Sequence, residues 1–367
     1  MGLGTGAVED LVRGAGRLPD PAFWRGRRVL LTGHTGFKGG WTALWLAQMG
    51  AEVTGLALAP DTEPSLFALA GIAGDVHSQC ADLRERQAVA DIVAAARPQI
   101  VLHLAAQPLV RRSLADPVGT YATNVMGTAH LLDALAERRD LDAVLVVTSD
   151  KVYANAETGD AFAETDPLGG KDPYSASKAA TEMVVASFRA SCFEPRGVPL
   201  ATARGGNVIG GGDFAEDRIV PDVVRAAQAG EAVILRHPEA VRPWQHVLDC
   251  VGGYLVYAEA LATKANADRA LNFGPETGPA ISVGELVAQV QGALGAASGW
   301  RHEPVAGSVE ARRLKLDSSR ARHLLGWRDR LPGHAAVEAT ARWYARWMSG
   351  ADMRDVSIAD ITAYERA

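Results

Sequence analysis

Cysteine is scarce in this chain, with Cys80, Cys192 and Cys250 the only three among 367 residues. They are odd in number and widely spaced, and none has a His or Cys neighbour at ligand spacing. That argues against a disulfide framework and a zinc site and fits a reducing cytoplasm; no metal is expected. No apolar run approaches the roughly 18 residues needed to span a bilayer, so no membrane partner is expected. Residues 1–22 mix glycine with both charge signs and lack an apolar signal core, and read as a flexible leader. Positive charge is not in surplus: 37 Lys and Arg stand against 43 Asp and Glu, a net charge of −6. Without a basic stripe, nucleic acid is not expected as a partner.

What is present is enough apolar material for a sizeable core, 48% hydrophobic against 22% charged residues. The length suits one large or two modest domains. Strand and helix patterns alternate. Strands are expected at 28–32, 53–58, 99–104, 143–149 and 200–203, and helices from Trp41, over 115–137 and over 174–191. This order implies an α/β fold with a doubly wound, Rossmann-type parallel sheet. The run Val144-Leu145-Val146-Val147 suits a strand covered on both faces. After Gly205 the elements become shorter. Helices are expected at 221–230, 248–261, 283–294, 318–325 and 334–348, with short strands at 233–235 and 271–273. We read 23–205 as a nucleotide-binding domain and 206–367 mainly as a smaller mixed α/β substrate domain, with boundaries open to interleaving.

Gly33, Gly36 and Gly39 form G-x-x-G-x-x-G between the first strand and its helix. Glycine permits the tight turn and close backbone approach that a pyrophosphate needs, and the helix N-terminus offers free N–H groups to the anion. The context is that of a dinucleotide site. Asp61, just past the second strand, is a candidate for the adenosine ribose, and no Arg stands beside it to favour a 2′-phosphate. NAD is therefore expected over NADP. Asp82-Leu83 either edges the adenine or is a solvated turn.

Tyr174 and Lys178 lie four residues apart on one helix face. A nearby ammonium favours the phenolate, which can take the proton of a sugar hydroxyl while the cofactor takes the hydride. Ser149, at a strand end, would share that hydroxyl. Asp150 and Lys151 follow at the carboxyl edge of the sheet, where ligands of open α/β folds bind. A protonated Asp150 can donate to a leaving hydroxyl, and a neutral Lys151 can remove a proton alpha to a carbonyl.

With these motifs the chain resembles the extended short-chain dehydrogenase/reductases, and within them the CDP-glucose 4,6-dehydratases. The likeness runs over 23–365. It rests on Gly33-His34-Thr35-Gly36-Phe37-Lys38-Gly39-Gly40-Trp41, His103-Leu104-Ala105-Ala106-Gln107-Pro108, Asn124-Val125-Met126-Gly127-Thr128, Thr148-Ser149-Asp150-Lys151, Asp172-Pro173-Tyr174-Ser175, Gly206-Asn207-Val208-Ile209-Gly210-Gly211-Gly212-Asp213, Asp217-Arg218-Ile219-Val220-Pro221-Asp222 and Arg242-Pro243-Trp244-Gln245-His246-Val247. The resemblance implies NAD as cofactor, held by Gly33, Thr35, Gly36, Phe37, Lys38, Gly39, Asp82, Leu83, Leu104, Ala105, Ala106, Asn124, Thr148, Tyr174 and Lys178. It implies Ser149, Asp150, Lys151, Tyr174 and Lys178 as catalytic residues, and substrate contacts from Gln107, Asn207, Arg218, Arg242 and His246; His246 reads equally as a core histidine. Arg312 and Arg313 lie where related enzymes often bind phosphate. The implied chemistry is oxidation at C4 of a CDP-linked glucose, loss of water across C5 and C6, and hydride return to C6. Lys151, where relatives acting on other nucleotides carry Glu, points to the cytidine subgroup and leaves open which group takes the C5 proton. A homodimer through the helices over 115–137 and 174–191 is also implied. The alternatives are another sugar-nucleotide dehydratase, a 4-epimerase, or a non-catalytic NAD-sensing protein.

Overall fold

A computed structural model describes residues 16–266, 268–276, 281–296, 299–303 and 314–367. Seven strands form one sheet: β1 (Arg28–Thr32), β2 (Glu52–Ala57), β3 (His77–Cys80), β4 (Ile100–His103), β5 (Ala143–Val147), β6 (Leu200–Gly205) and β7 (Ala270–Phe273). Their order is β7-β6-β5-β4-β1-β2-β3, and every pair is parallel. The expected doubly wound sheet is therefore present. The chain runs one way from β1 to β2 and β3 and the other way from β4 outward, which opens a crevice at the carboxyl ends of β1 and β4.

Alternate residues of each strand enter two different cores, as a period of two requires. Val29, Leu31, Leu102, Leu145, Val147, Ala201 and Ala203 join one cluster with helices α1 (Phe37–Gln48) and α4 (Val247–Ala262). Leu30, Val101, Val144, Val146 and Leu200 join the other, with helix α2 (Arg86–Ala96), Leu131, Leu132 and Leu135. Helix α3 (Pro173–Phe188) starts at an Asp172 cap whose carboxylate accepts from the Ser175 N–H, with Pro173 at the first position.

Three features sharpen the sequence reading, which left the domain boundaries open to interleaving. The seventh strand comes from 270–273, and α4 packs on the sheet, so residues beyond 205 complete the nucleotide-type sheet and the two halves interleave. The helix expected over 115–137 forms from Pro117 to Leu135, with a π-turn inside it. A turn of helix ends at Ala115, Asp116 caps a new start with Pro117 at its first position, and a π-turn follows at Ala122–Met126 before the helix ends at Leu135. Residues 1–15 of the expected leader lie outside the described residues, but from Gly16 the chain is fixed. Glu259 on α4 accepts from Trp24 Nε1 at 2.7 Å, from the Asp20 N–H at 2.6 Å and from Arg17 at 2.9 Å.

The helix and strands that carry the chemistry are joined by one buried network. Glu182 on α3 receives Arg204 of β6 in a two-pronged pair, Nε to Oε1 at 3.0 Å and Nη2 to Oε2 at 2.9 Å. Thr148, just past β5, donates to Oε1 at 2.6 Å, and Thr202 of β6 to Oε2 at 2.8 Å. Both charged side chains are only 5% exposed. Burial opposes the Arg204 charge, but the Glu182 carboxylate outweighs it and holds the guanidinium above its ordinary pKa.

Candidate active site

A cavity of about 1170 Å³ opens at the carboxyl ends of the strands. That exceeds the roughly 300–1,000 Å³ of a single small-ligand pocket and leaves room for a cofactor and a substrate together. Its floor on one side is the glycine loop. Gly33 has φ +78°, in the left-handed region, and a Cβ there would meet the Ala105 backbone nitrogen at 2.8 Å. A Cβ on Gly39 would meet the Gly33 carbonyl oxygen at 1.9 Å. The loop can thus close against the start of α1 only with glycine at these positions, and that cradle fits a dinucleotide diphosphate. Thr35, Phe37, Lys38, Asp82, Leu83, Leu104, Ala105 and Ala106 line the same cavity.

Ser149, Lys151, Tyr174 and Lys178 line it as well. Ser149 caps a short turn over Asp150–Val152, accepting from the Lys151 N–H. Its hydroxyl donates to Asp150 Oδ1 at 3.0 Å, and Lys151 Nζ reaches the same oxygen at 3.4 Å. Asp150 is 1% exposed, and its Oδ2 has no hydrogen-bond partner among the described residues. A buried carboxylate oxygen without a partner is costly in structural terms.

On α3, the Tyr174 N–H is held by Ser113 Oγ at 3.1 Å. Lys178 Nζ donates to the Val147 carbonyl at the end of β5, at 3.2 Å. Burial, reinforced by the charge of Lys38, pushes the Lys178 ammonium from 10.5 down to about 7, against the opposing pull of Glu182.

The second layer is a one-way hydrogen-bond chain. The Ala105 N–H donates to Thr32 Oγ1, which stands 2.7 Å from His103 Nδ1, and His103 Nε2 stands 2.9 Å from Thr128 Oγ1. Thr128 donates onward to the Asn124 carbonyl at 2.7 Å, so it must accept from His103, which fixes the neutral Nε2–H tautomer. Burial, with Lys178 adding to it, lowers His103 to about 3.

Several residues sit elsewhere than expected. Asn124 is not on the cavity wall. It is a buried clamp in the π-turn, accepting from the Gln107 N–H at 2.8 Å and donating to the Gln107 carbonyl and Ser177 Oγ. Gln107 lines the cavity, but its side chain is spent within the loop on Thr120 and on the Leu109 backbone. Thr148 faces Glu182 with its hydroxyl. His246 is off the wall; it caps α4 by accepting from the Leu248 N–H, and burial, with Arg342 adding to it, lowers it to about 3. Asn207, Arg218 and Arg242 do line the cavity. Arg312 and Arg313 lie outside the described residues.

An arginine does reach the adenosine end, through tertiary contact: Arg112 Nη1 pairs with Asp61 at 2.7 Å. Arg84 pairs with Asp82 at 2.6 Å and holds that carboxyl below its ordinary range. Glu182 and Arg204 were not anticipated. Their signals were an acid four residues beyond Lys178 on the same helix face and a lone cation in an otherwise apolar strand.

A glycine cradle at the sheet crossover shares one cavity with Ser149, Lys151, Tyr174 and Lys178, while Asp150 is off the wall, buried against Ser149 and Lys151. This combination is that of a nicotinamide-dependent enzyme. The chain belongs to the NAD dependent epimerase/dehydratase family, whose model matches residues 29–274. It is 43% identical over 354 residues to the CDP-glucose 4,6-dehydratase of Salmonella typhimurium, covering 95% of this chain and 99% of that one. It is 34% identical to a dTDP-glucose 4,6-dehydratase of Streptomyces griseus, over 68% of this chain and 72% of that protein. Among solved structures it resembles the dTDP-glucose 4,6-dehydratase of Streptomyces venezuelae with NAD bound, with a TM-score of 0.74 and 25% identity over 89% of this chain and 99% of that one. The UDP-glucose 4-epimerase of Thermus thermophilus in complex with NAD also matches, with a TM-score of 0.74 and 27% identity over 86% of this chain and 98% of that one. NAD is the cofactor, as expected.

The buried lysine makes a stability prediction. The folded pKa of Lys178 is depressed, so the unfolded chain holds a proton that the folded site releases between pH 10.5 and about 7. Wild-type stability should therefore fall relative to Lys178→Met as pH drops through that window, and the difference should level off below it. Urea unfolding of both proteins at pH 6, 7, 8 and 9 checks this; a pH-independent difference would contradict it.

Proposed function

We propose that this enzyme removes water from CDP-glucose to give CDP-4-keto-6-deoxyglucose. The observation that carries this reading is the Asp150–Lys151 pair just past β5: Lys151 lines the cavity that also holds Tyr174 and Lys178, and the buried Asp150 stands 3.4 Å from its Nζ. An epimerase needs only the tyrosine–lysine half. A dehydratase also needs an acid and a base on neighbouring carbons, and the 43% identity to a CDP-glucose 4,6-dehydratase over nearly the whole chain supports that choice and the cytidine substrate.

NAD, when bound, supplies the acceptor for the C4 hydride and its return to C6. Gly33, Gly36 and Gly39 hold its diphosphate, Phe37, Lys38 and Leu104 to Ala106 flank it, and Asp61 and Asp82 edge the adenosine. Tyr174 takes the proton from the C4 hydroxyl, assisted by Ser149, and Lys178 stabilises the phenolate. The resulting ketone acidifies the C5 proton, which Lys151, or a group that Lys151 positions, removes and then returns to C5 when C6 is reduced. Asp150 in its protonated form donates to the C6 hydroxyl, which leaves as water. Asn207, Arg218 and Arg242 hold the substrate diphosphate, Arg through charge-assisted forked bonds.

We further propose a homodimer in a reducing cytoplasm. Val118, Leu114, Tyr121, Met126 and Met183 expose an apolar face on the helical segments from Val110 to Met126 and on α3. A second copy of the same face covers it with two-fold symmetry. No described helix is long and apolar enough to cross a membrane.

Pure protein incubated with CDP-glucose should yield a product lighter by one water that absorbs in alkali as a keto sugar. Turnover of dTDP- or UDP-glucose in its place would overturn the cytidine assignment. In the same assay Lys151→Met should still oxidise C4 but lose water at least about a hundredfold more slowly, as for a missing general base; unchanged turnover would remove Lys151 from the elimination. For the dimer, light scattering of Val118→Glu combined with Met183→Glu should report a monomer, and an unaltered dimer would place the interface elsewhere.

A further inference from the structure

Gly210-Gly211-Gly212 follows the short strand Val208–Ile209, which pairs with Gln245–His246 ahead of α4. Three successive glycines leave the backbone unusually free, so order in this loop is imposed by its neighbours. A Cβ on Gly210 would lie 2.5 Å from Val247 Cγ1 and 3.1 Å from Phe37 Cζ. One on Gly211 would lie 2.0 Å from Cγ of Trp343, on the helix His334–Met348. Gly212 has φ +82°, and its Cβ would lie 2.8 Å from Leu66 Cβ.

The loop has a cavity face and a back. Gly210 and Gly212 line the cavity, with Asn207 and Asp213 on either side of them. Gly211 does not; it is buried, and its carbonyl accepts from Trp41 Nε1 at 2.8 Å. Trp41 is 1% exposed and lies on α1, one turn beyond Phe37. The N-terminal end of α1 closes against the glycine cradle, so the cradle and the wall over 207–213 are referenced to the same helix. Trp343 is buried as deeply as Trp41, but its indole N–H goes to Ser357 Oγ at 3.1 Å. Without the Trp41 N–H the Gly211 carbonyl loses that donor, and a buried carbonyl left unsatisfied costs more than the bond contributes on balance. The freed loop then shifts to regain a partner.

We propose that Trp41 is a positioning residue for the substrate: through the Gly211 carbonyl it fixes the wall over Asn207–Asp213 relative to the cofactor cradle. Trp41 does not line the cavity and acts only through the loop. The role rests on the proposal that Asn207 holds the substrate diphosphate. A displaced wall weakens that contact and leaves Gly33, Gly36 and Gly39 where they are.

Calorimetry with CDP on the NAD-loaded enzyme, and with NAD, tests it. Trp41→Phe keeps a buried ring and removes the N–H. It should weaken CDP about tenfold and raise the KM for CDP-glucose with it, as for one buried carbonyl left unsatisfied, with NAD affinity unchanged. Trp343→Phe also removes a buried indole behind Gly211, but one bonded elsewhere, and should leave CDP affinity unchanged. A bond that only braced the fold would weaken CDP and NAD alike in Trp41→Phe, or let Trp343→Phe weaken CDP as much; either result overturns the proposal. So does wild-type CDP affinity in Trp41→Phe. Unfolding midpoints are measured beside the titrations. If Trp41→Phe does not fold, Gly210→Ala takes its place: the added methyl meets Phe37 and Val247 and lifts the loop off α1, and the same selective loss of CDP is expected, with wild-type CDP affinity again overturning the proposal. If wild type prefers UDP or dTDP, that nucleotide replaces CDP as the probe; the cytidine assignment then fails while the role of Trp41 is still decided by the same variants. If wild type binds none of the three, both proposals fall.

Discussion

The site depends on one buried carboxylate. Glu182 joins α3, which carries Tyr174 and Lys178, to the strand ends that carry Ser149, Asp150 and Lys151. Its bond to Thr148 is one residue from Ser149, and Lys178 itself donates to Val147 one residue earlier. The redox half and the elimination half of the site are thereby fixed to the same few atoms of β5. A buried pair of this kind is weak evidence for stability, because desolvation offsets much of the attraction. Its value here is positional: catalysis loses heavily when reacting groups are displaced by as little as about 1 Å.

The same economy of position extends outward. Glycine at 33 and 39 lets the loop close against α1 and Ala105. Ala105 then anchors the hydrogen-bond chain through Thr32, His103 and Thr128 to Asn124, and Asn124 clamps both the Gln107 backbone and Ser177 on α3. The cofactor loop, the loop after β4 and the catalytic helix are thus one connected frame. Within it, Asp150 Oδ2 has no hydrogen-bond partner among the described residues, as is also true of His34 Nδ1 in the glycine loop, and burial opposes the charge on Lys178.

How much of this was legible follows from the range of each interaction. The glycine loop, the Tyr174–Lys178 face and the Ser149–Asp150–Lys151 triplet are local patterns, and strand and helix periodicity placed them at the right edge of the sheet. Asn124 and His246 each carried two readings, a structural one and a ligand contact, since a side chain facing backbone and one facing ligand look alike in sequence; the structural one holds for both. The Asp116 cap and Pro117 are local signals that set the helix start two residues past the expected one. Glu182–Arg204, Arg112–Asp61 and Trp41–Gly211 are contacts between distant segments, as is the return of the chain at 270–273 to complete the sheet. No window of sequence contains them.

The Glu182 network sets the site's geometry rather than the fold's stability. Replacing both members of the pair by apolar residues of similar size, Glu182→Leu with Arg204→Met, separates the two. Turnover of CDP-glucose by this double variant, measured alongside its unfolding midpoint, is the most direct test. The account predicts near-wild-type stability, as buried pairs exchanged for packed apolar groups commonly show, with turnover reduced about tenfold or more. Full turnover at wild-type stability would contradict it.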